Sequence, residues 1–155
     1  MNTSLTADAI SAVGQGQNSY CKFLSAADCG DCGDPEVGVH LSQSALYMFF
    51  TIRELRECSR RPVISKDIPM LWHRTIKAPG RITWNERRKD LRFRVCGSGV
   101  VPFLRPEYTG ALLVMVKDAD GVFENFIFNT DDEIQEFLGT FGMTPAETGR
   151  PIKMI

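Results

Sequence analysis

The chain has 155 residues, with 18 Lys and Arg against 19 Asp and Glu, and a formal net charge of -1. At 43% hydrophobic and 24% charged it has the make-up of an ordinary globular domain, which excludes a disordered polyelectrolyte or a fibrous repeat. No apolar run approaches the roughly 20 residues that span a bilayer as a helix, and residues 1–17 lack the basic and apolar segments of a secretion signal, so a cytoplasmic location is expected.

Residues 1–17 are small and polar, and form either a short helix over 6–13, capped by Ser4 or Thr6, or no fixed structure. Residues 18–25 alternate Tyr20, Lys22 and Leu24 against Cys21 and Phe23, a period of two that predicts a strand. A Gly- and Asp-rich loop over 27–35 cannot continue that strand and permits a projecting arm. Residues 37–41 resume as a strand. Ser42 or Ser44 then caps a short apolar helix through Ala45, Leu46, Met48 and Phe49, and 51–61 reads as a charged connector. Strands are predicted at 62–65 and 70–76, a turn at 78–80, and two strands within 81–95 around a basic loop. Residues 111–117 and 122–128 form a hairpin about Asp118-Ala119-Asp120-Gly121. Thr130 caps a helix over 131–138, whose first-turn acids suit the helix macrodipole, with Gly139 at its end. Many short strands with one or two peripheral helices predict a mainly β fold, a small barrel or pseudobarrel.

Charge is distributed unevenly. Arg74, Lys77, Arg81, Arg87, Arg88, Lys89, Arg92 and Arg94 fall within 21 residues that hold only two acids, Glu86 and Asp90. A near-neutral protein with one arginine-rich segment has a directed face for a polyanion. Arginine's planar fork can bind guanine O6 and N7, or a phosphate, bidentately. A carboxylate in such a segment is repelled by phosphates but can accept a hydrogen bond from a cytosine amino group, so Glu86 either reads a base or serves with Asp90 as a surface partner of Arg87 and Lys89.

Other constellations are weaker. Cys29-Gly-Asp-Cys32 has the spacing of half a zinc site, but no second CxxC or His pair accompanies it, and the five cysteines (with Cys21, Cys58 and Cys96) are expected as reduced thiols. His40 and His73 are isolated. Gly97-Ser-Gly99 precedes no helix start and is not a phosphate loop. Asp118, Asp120 and Glu124 lack calcium-loop spacing. Val114-Met115-Val116-Lys117 has the lysine of a restriction-type nuclease core without the acid two residues earlier.

Four segments in order resemble a known family. They are Leu-Ser-Ala-Ala-Asp-Cys-Gly-Asp-Cys-Gly over residues 24–33, Val37-Gly38, Asn85-Glu86-Arg87-Arg88, and Pro-Glu-Tyr-Thr-Gly-Ala-Leu over residues 106–112. With the acidic start of the last helix, they are similar to the N-terminal effector domain of EcoRII-like type II restriction endonucleases, over about residues 18–140. The resemblance implies a B-three-like DNA-binding pseudobarrel with short peripheral helices, an N-terminal segment at 1–17 and a tail or linker at 141–155. It implies two arms gripping the major groove of duplex DNA, at residues 28–36 and 81–94. Trp84, Asn85, Glu86, Arg87 and Arg88 are then the expected base readers. Lys22, Asp34, Pro35, Glu36, His40, Arg74, Arg81, Lys89, Arg92 and Arg94 are the expected arm or backbone contacts. It further implies no catalytic residue and no metal site in this chain, and no cofactor for binding, with magnesium needed only by an attached catalytic domain. The expected partners are double-stranded DNA and a restriction catalytic domain in cis or trans, without a membrane, in the cytoplasm of a bacterium at its nucleoid; the expected site is short and C·G-rich, of the CCWGG type.

The chain departs from the family pattern at Pro35, where a relative's first arm carries His, at His40, where it carries Tyr just after its Val-Gly, at Trp84, where it carries Arg, and at Cys29 and Cys32, where it carries Thr. Three other functions remain open to the residues themselves. One is a small metal-dependent nuclease using the basic face as its groove, and another is a stand-alone DNA-binding regulator. The third is a single-strand or RNA binder with Trp84 and Phe93 stacked on bases.

Overall fold

A computed structural model of the chain describes residues 4–29, 38–95 and 103–152. The expected arm residues Asp34, Pro35 and Glu36, together with Cys32, Cys96 and Gly97-Ser-Gly99, lie outside the described residues.

Two sheets form the body. The larger contains β1 (Asn18–Phe23), β4 (Met70–Trp72), β5 (Ile76–Lys77), β8 (Leu112–Lys117), β9 (Phe123–Phe128) and β10 (Arg150–Pro151), in the order β10-β1-β8-β9-β4-β5. The smaller contains β2 (Val39–Leu41), β3 (Val63–Ile68), β6 (Gly80–Asn85) and β7 (Asp90–Val95), in the order β2-β7-β6-β3. The chain passes between the sheets at Pro69 and again at Ala78-Pro79, where a ring that cannot donate to a ladder suits the corner. The fold is mainly β and pseudobarrel-like, as the density of short strands predicts. Adjacent strands pair antiparallel except β4 and β9, which run parallel.

The sequence pattern of β8 explains the layering. Leu112, Val114 and Val116 face one core, with Cys21, Phe126, Phe128 and Phe137; Leu113 and Met115 face the other, with Tyr20, Trp72, Trp84 and Phe93. A strand buried on both sides cannot alternate apolar with polar, so it reads as a continuous apolar run. The first core is closed by α1 (Leu5–Gln15) and α4 (Asp131–Thr140), the second by the smaller sheet.

The helices correct several sequence expectations. Residues 5–15 are helical, with Ser4 as the cap: its side chain accepts from the Ala7 N–H at 3.1 Å, and Ala9, Ala12 and Val13 are buried. The expected connector at 51–61 instead holds α3 (Ile52–Arg56) and a 3-10 turn at Glu57–Ser59; α2 is Leu46–Phe49. A reciprocal capping box starts α3, with Thr51 N–H donating to Glu54 at 2.8 Å and Glu54 N–H donating to Thr51 Oγ1 at 3.1 Å. Ser42 flanks the preceding 3-10 turn at Gln43–Ala45 without capping it, and its hydroxyl donates instead to the Gly149 carbonyl at 2.5 Å. Gly139 lies inside α4; the left-handed residue after that helix is Gly142, at φ 63°.

The boundaries at 17/18 and 140/141 separate no structural units. β10 pairs with β1, Ile152 N–H donates to the Ser19 carbonyl at 2.9 Å, and the Ile152 side chain is buried in the same core as α1. The segment expected as a tail thus holds a 3-10 turn at Pro145–Glu147 and a two-residue edge strand at Arg150–Pro151.

His73 has a structural task of its own. Its Nε2 accepts the Ile127 N–H at 2.9 Å while its backbone N–H donates to the Asn125 carbonyl, extending the β4–β9 seam beyond the short β4. The acceptor role requires a neutral ring. Burial holds its pKa below the ordinary histidine value, against the opposing influence of Glu133. The folded state therefore binds fewer protons than the unfolded state once pH falls below about 6.5. The stability His73 contributes is full above that pH and is lost as pH falls through its lower folded value. Urea midpoints are expected to fall between pH 7 and 5, more steeply in the wild type than in His73→Gln. Equal slopes would show that the ring does not titrate with unfolding.

Candidate nucleic-acid interface

Period-two geometry sorts the smaller sheet cleanly. Ile82, Trp84, Leu91 and Phe93 point into the barrel, where each is at most 2% exposed. The alternate residues of β6 and β7 therefore share the outer face. Register places them in three rows: Asp67, Arg81 and Arg94; Ser65, Thr83, Arg92 and His40; Val63, Asn85 and Asp90. Arg81, Arg92, Arg94 and His40 thus lie together on this surface. Arg81 and Arg94 sit directly opposite, a like-charge pair that disfavours the free sheet.

Beyond this face, the hairpin tip holds residues 86–89. Asn85 Oδ1 accepts from the Arg88 N–H at 3.2 Å, and Glu86 N–H donates to the Pro62 carbonyl at 2.7 Å, which anchors the tip to the start of β3. Lys89 takes φ 52°, in the left-handed region where glycine would be less strained, so the turn holds a cation at a conformational cost. Arg87 and Arg88 are exposed.

The basic residues divide by their engagement. Arg81 donates to Asp67 at 2.8 Å, and Arg92 forks onto Asp90 through Nε at 2.8 Å and Nη2 at 2.6 Å. Asp90 also pairs with His40 Nδ1 at 3.1 Å, so one carboxylate orients two groups from two strands. Partial burial pushes the Asp90 carboxyl up, but Arg92 and His40 outweigh it and hold it below its usual value. Lys89 binds one oxygen of Glu86, and the Trp84 indole N–H donates to the other at 2.7 Å. These bonds hold the Glu86 carboxyl below its ordinary value. The guanidinium groups of Arg87, Arg88 and Arg94 have no ion pair or hydrogen bond to other described residues.

Four residues depart from the roles expected of them. Trp84 and Phe93 are 2% and 0% exposed, so neither can stack on a base; barrel closure claimed the aromatic face of this hairpin. Arg74 is in the β4–β5 turn, where it donates to the Asp8 carbonyl of α1 at 3.0 Å, on the helix-covered side of the larger sheet. Lys22 is absorbed at the foot of the first loop, with its ammonium 2.6 Å from Asp28 Oδ2 and donating to the His40 carbonyl at 2.6 Å. Gly38, at φ 80°, completes that foot, because a Cβ there would lie 2.5 Å from the Phe93 carbonyl oxygen. Cys29 is buried, and no cluster of three His, Cys, Asp or Glu able to hold a metal occurs among the described residues.

Sequence reasoning missed Ser65 and Thr83 on the outer face, although the alternation of 80–85 carried the signal for Thr83, and it paired the surface acid Asp90 with Arg87 and Lys89 where the structure pairs it with Arg92 and His40. Ser65 Oγ and Thr83 Oγ1 are 2.9 Å apart and form a small neutral polar row beside Arg92.

The architecture has a solved counterpart. The crystal structure of the B3 domain of UbaLAI restriction endonuclease with cognate DNA superimposes with a TM-score of 0.53 at 15% identity, covering 94% of this chain and 92% of that one. The fold is that of a B3 domain. No protein-family model matches the sequence, and no curated protein matches it. The B3 pseudobarrel accounts for the helix-backed larger sheet and for a smaller sheet with one face uncovered by other described residues, and at 94% coverage the likeness extends beyond residues 18–140. At this identity the likeness carries the backbone arrangement, and the side chains of the B3 face must be read from this chain alone.

Proposed function

We propose that this chain binds double-stranded DNA in a sequence-specific way through the outer face of β6 and β7 and the 86–89 tip. One observation carries the reading: Arg87, Arg88 and Arg94 project from one hairpin without partners among the described residues, while the neighbouring cations are engaged by acids. Unpartnered forks are ready for phosphate oxygens or guanine edges. The B3 fold supports this, because its solved counterpart is a DNA complex of a restriction-enzyme domain. In this reading Arg87, Arg88 and Glu86 read bases, with Asn85 shaping the tip, and Arg94, Arg92, Arg81 and His40 meet the backbone. The chain acts as the effector or targeting domain of a type II restriction endonuclease at a short C·G-rich, CCWGG-like site. Cleavage, with its magnesium, belongs to a catalytic domain in cis or trans.

Selection of bound duplexes from a randomised library tests this, followed by titration of the winner against a scrambled duplex at physiological salt. A short motif bound at least about a thousandfold more tightly is the expected result. Equal, salt-sensitive binding would reduce the face to an electrostatic surface. Arg94→Ala is expected to weaken winner and scramble alike and to reduce the salt slope by about 1. A loss confined to the winner would move Arg94 into the base-reading set.

A further inference from the structure

We infer that Trp84 is a positioning residue for base recognition: from inside the barrel its indole N–H fixes the Glu86 carboxylate as a preset acceptor for a base amino group. This rests on the proposed reading of the hairpin as a DNA-binding element. The ring is 2% exposed and belongs to the barrel core, so its orientation is set by packing and not by solvent. Its Nε1–H nevertheless reaches the tip and donates to Glu86 Oε2 at 2.7 Å. Lys89 binds Oε1 and lies 6.0 Å over the Trp84 ring, so carboxylate, ammonium and indole form one unit. The Glu86 backbone is held too, through its N–H to the Pro62 carbonyl.

This arrangement resolves a difficulty. A loose carboxylate beside Arg87 and Arg88 would collapse onto a guanidinium and occupy the fork needed for a guanine edge. A neutral donor from the core anchors one oxygen without neutralising it. Each carboxylate oxygen offers about two lone-pair sites, so Oε1 and Oε2 each keep one after binding Lys89 and Trp84. Only two base groups in the major groove present a matching amino donor, cytosine N4 and adenine N6. The tip therefore presents a fixed acceptor beside two free forks, suited to an amino-bearing base adjacent to guanine. Preorganisation of this kind converts contact into discrimination, because a carboxylate held in place cannot swing to accommodate the wrong base.

The test compares wild type, Trp84→Phe, Glu86→Gln and the double variant on the selected duplex and on duplexes with each base pair of the site replaced. Phenylalanine keeps an aromatic ring in the core and removes only the donor and part of the volume. Trp84→Phe is expected to retain scrambled-duplex affinity and its salt slope. It should lose about tenfold of the discrimination at one amino-bearing position, the same position that Glu86→Gln affects. The double variant should lose no more than Glu86→Gln alone, since the two residues act as one device. If Trp84→Phe unfolds, a benzothiophene analogue at position 84, with sulfur replacing the indole N–H, gives the same readout at nearly unchanged volume. Full discrimination in the variant lacking the donor, or losses that add to those of Glu86→Gln, would overturn the inference while leaving the DNA-binding reading intact. A wild-type protein that discriminates no position would overturn both.

Discussion

Replacing Asp28 by alanine is expected to destabilise the fold by about 3–5 kcal/mol, the range for removing one partner of a buried ion pair. The Asp28 side chain is fully buried, and it accepts from Lys22 Nζ at 2.6 Å, Ser25 N–H at 3.0 Å and His40 N–H at 3.0 Å. Lys22 is itself only 16% exposed. Alanine would leave a nearly buried ammonium without its counter-ion and two backbone donors without an acceptor. It would also release the foot from which β2 departs. Burial alone would raise the Asp28 carboxyl, but the Lys22 hydrogen bond and the two backbone donors outweigh it and hold it below its usual value. That stability is present above the unfolded value of about 3.9 and is lost as pH falls through the lower folded value. Urea unfolding at pH 7 and at pH 3 measures both parts, with the gap between wild type and Asp28→Ala expected to narrow in acid. A loss under about 1 kcal/mol at pH 7 would mean that Lys22 escapes to water, and that the foot does not depend on the pair.

Simultaneous replacement of Arg87 and Arg88 by alanine is expected to weaken the selected duplex by a hundredfold or more, since each bidentate contact to a guanine edge contributes about 1–3 kcal/mol of discrimination. Stability should stay within about 0.5 kcal/mol, because both side chains are exposed and have no partner among the described residues. The Lys double variant separates fork from charge: an ammonium preserves attraction to phosphate but cannot span O6 and N7. It should recover scrambled-duplex binding without recovering discrimination. Equal losses of the alanine variant on selected and scrambled duplexes would assign both arginines to the phosphates.

Much of the architecture was legible because the local signals were strong. The 112–128 hairpin combined apolar runs with a turn, and α4 combined a Thr cap with first-turn acids. α3 was hidden because its five residues carry more charge than apolar pattern, yet the Thr51-x-x-Glu54 box stood in the sequence. The final strand could not be read, since a two-residue edge exists only through pairing with β1, more than a hundred residues earlier. At the candidate site, the tip arginines and the acid among them were legible from charge alone. The fates of Trp84, Arg74 and Lys22 were not, because each depends on tertiary packing. The barrel interior takes one, α1 another and Asp28 the third.

The unequal covering of the two sheets has a consequence for how such a domain can change. In the larger sheet, β8 from Leu112 to Val116 is buried on both sides, so nearly every substitution there alters packing. The smaller sheet keeps its core obligations on Ile82, Trp84, Leu91 and Phe93, and leaves His40, Ser65, Thr83, Arg92 and Arg94 on a surface that supports no core. A new binding preference could be written on that surface residue by residue while the folded state is inherited unchanged. Trp84 is where the two alphabets meet: its ring belongs to the inherited interior and its N–H to the variable exterior, so drift at this position would be felt in both.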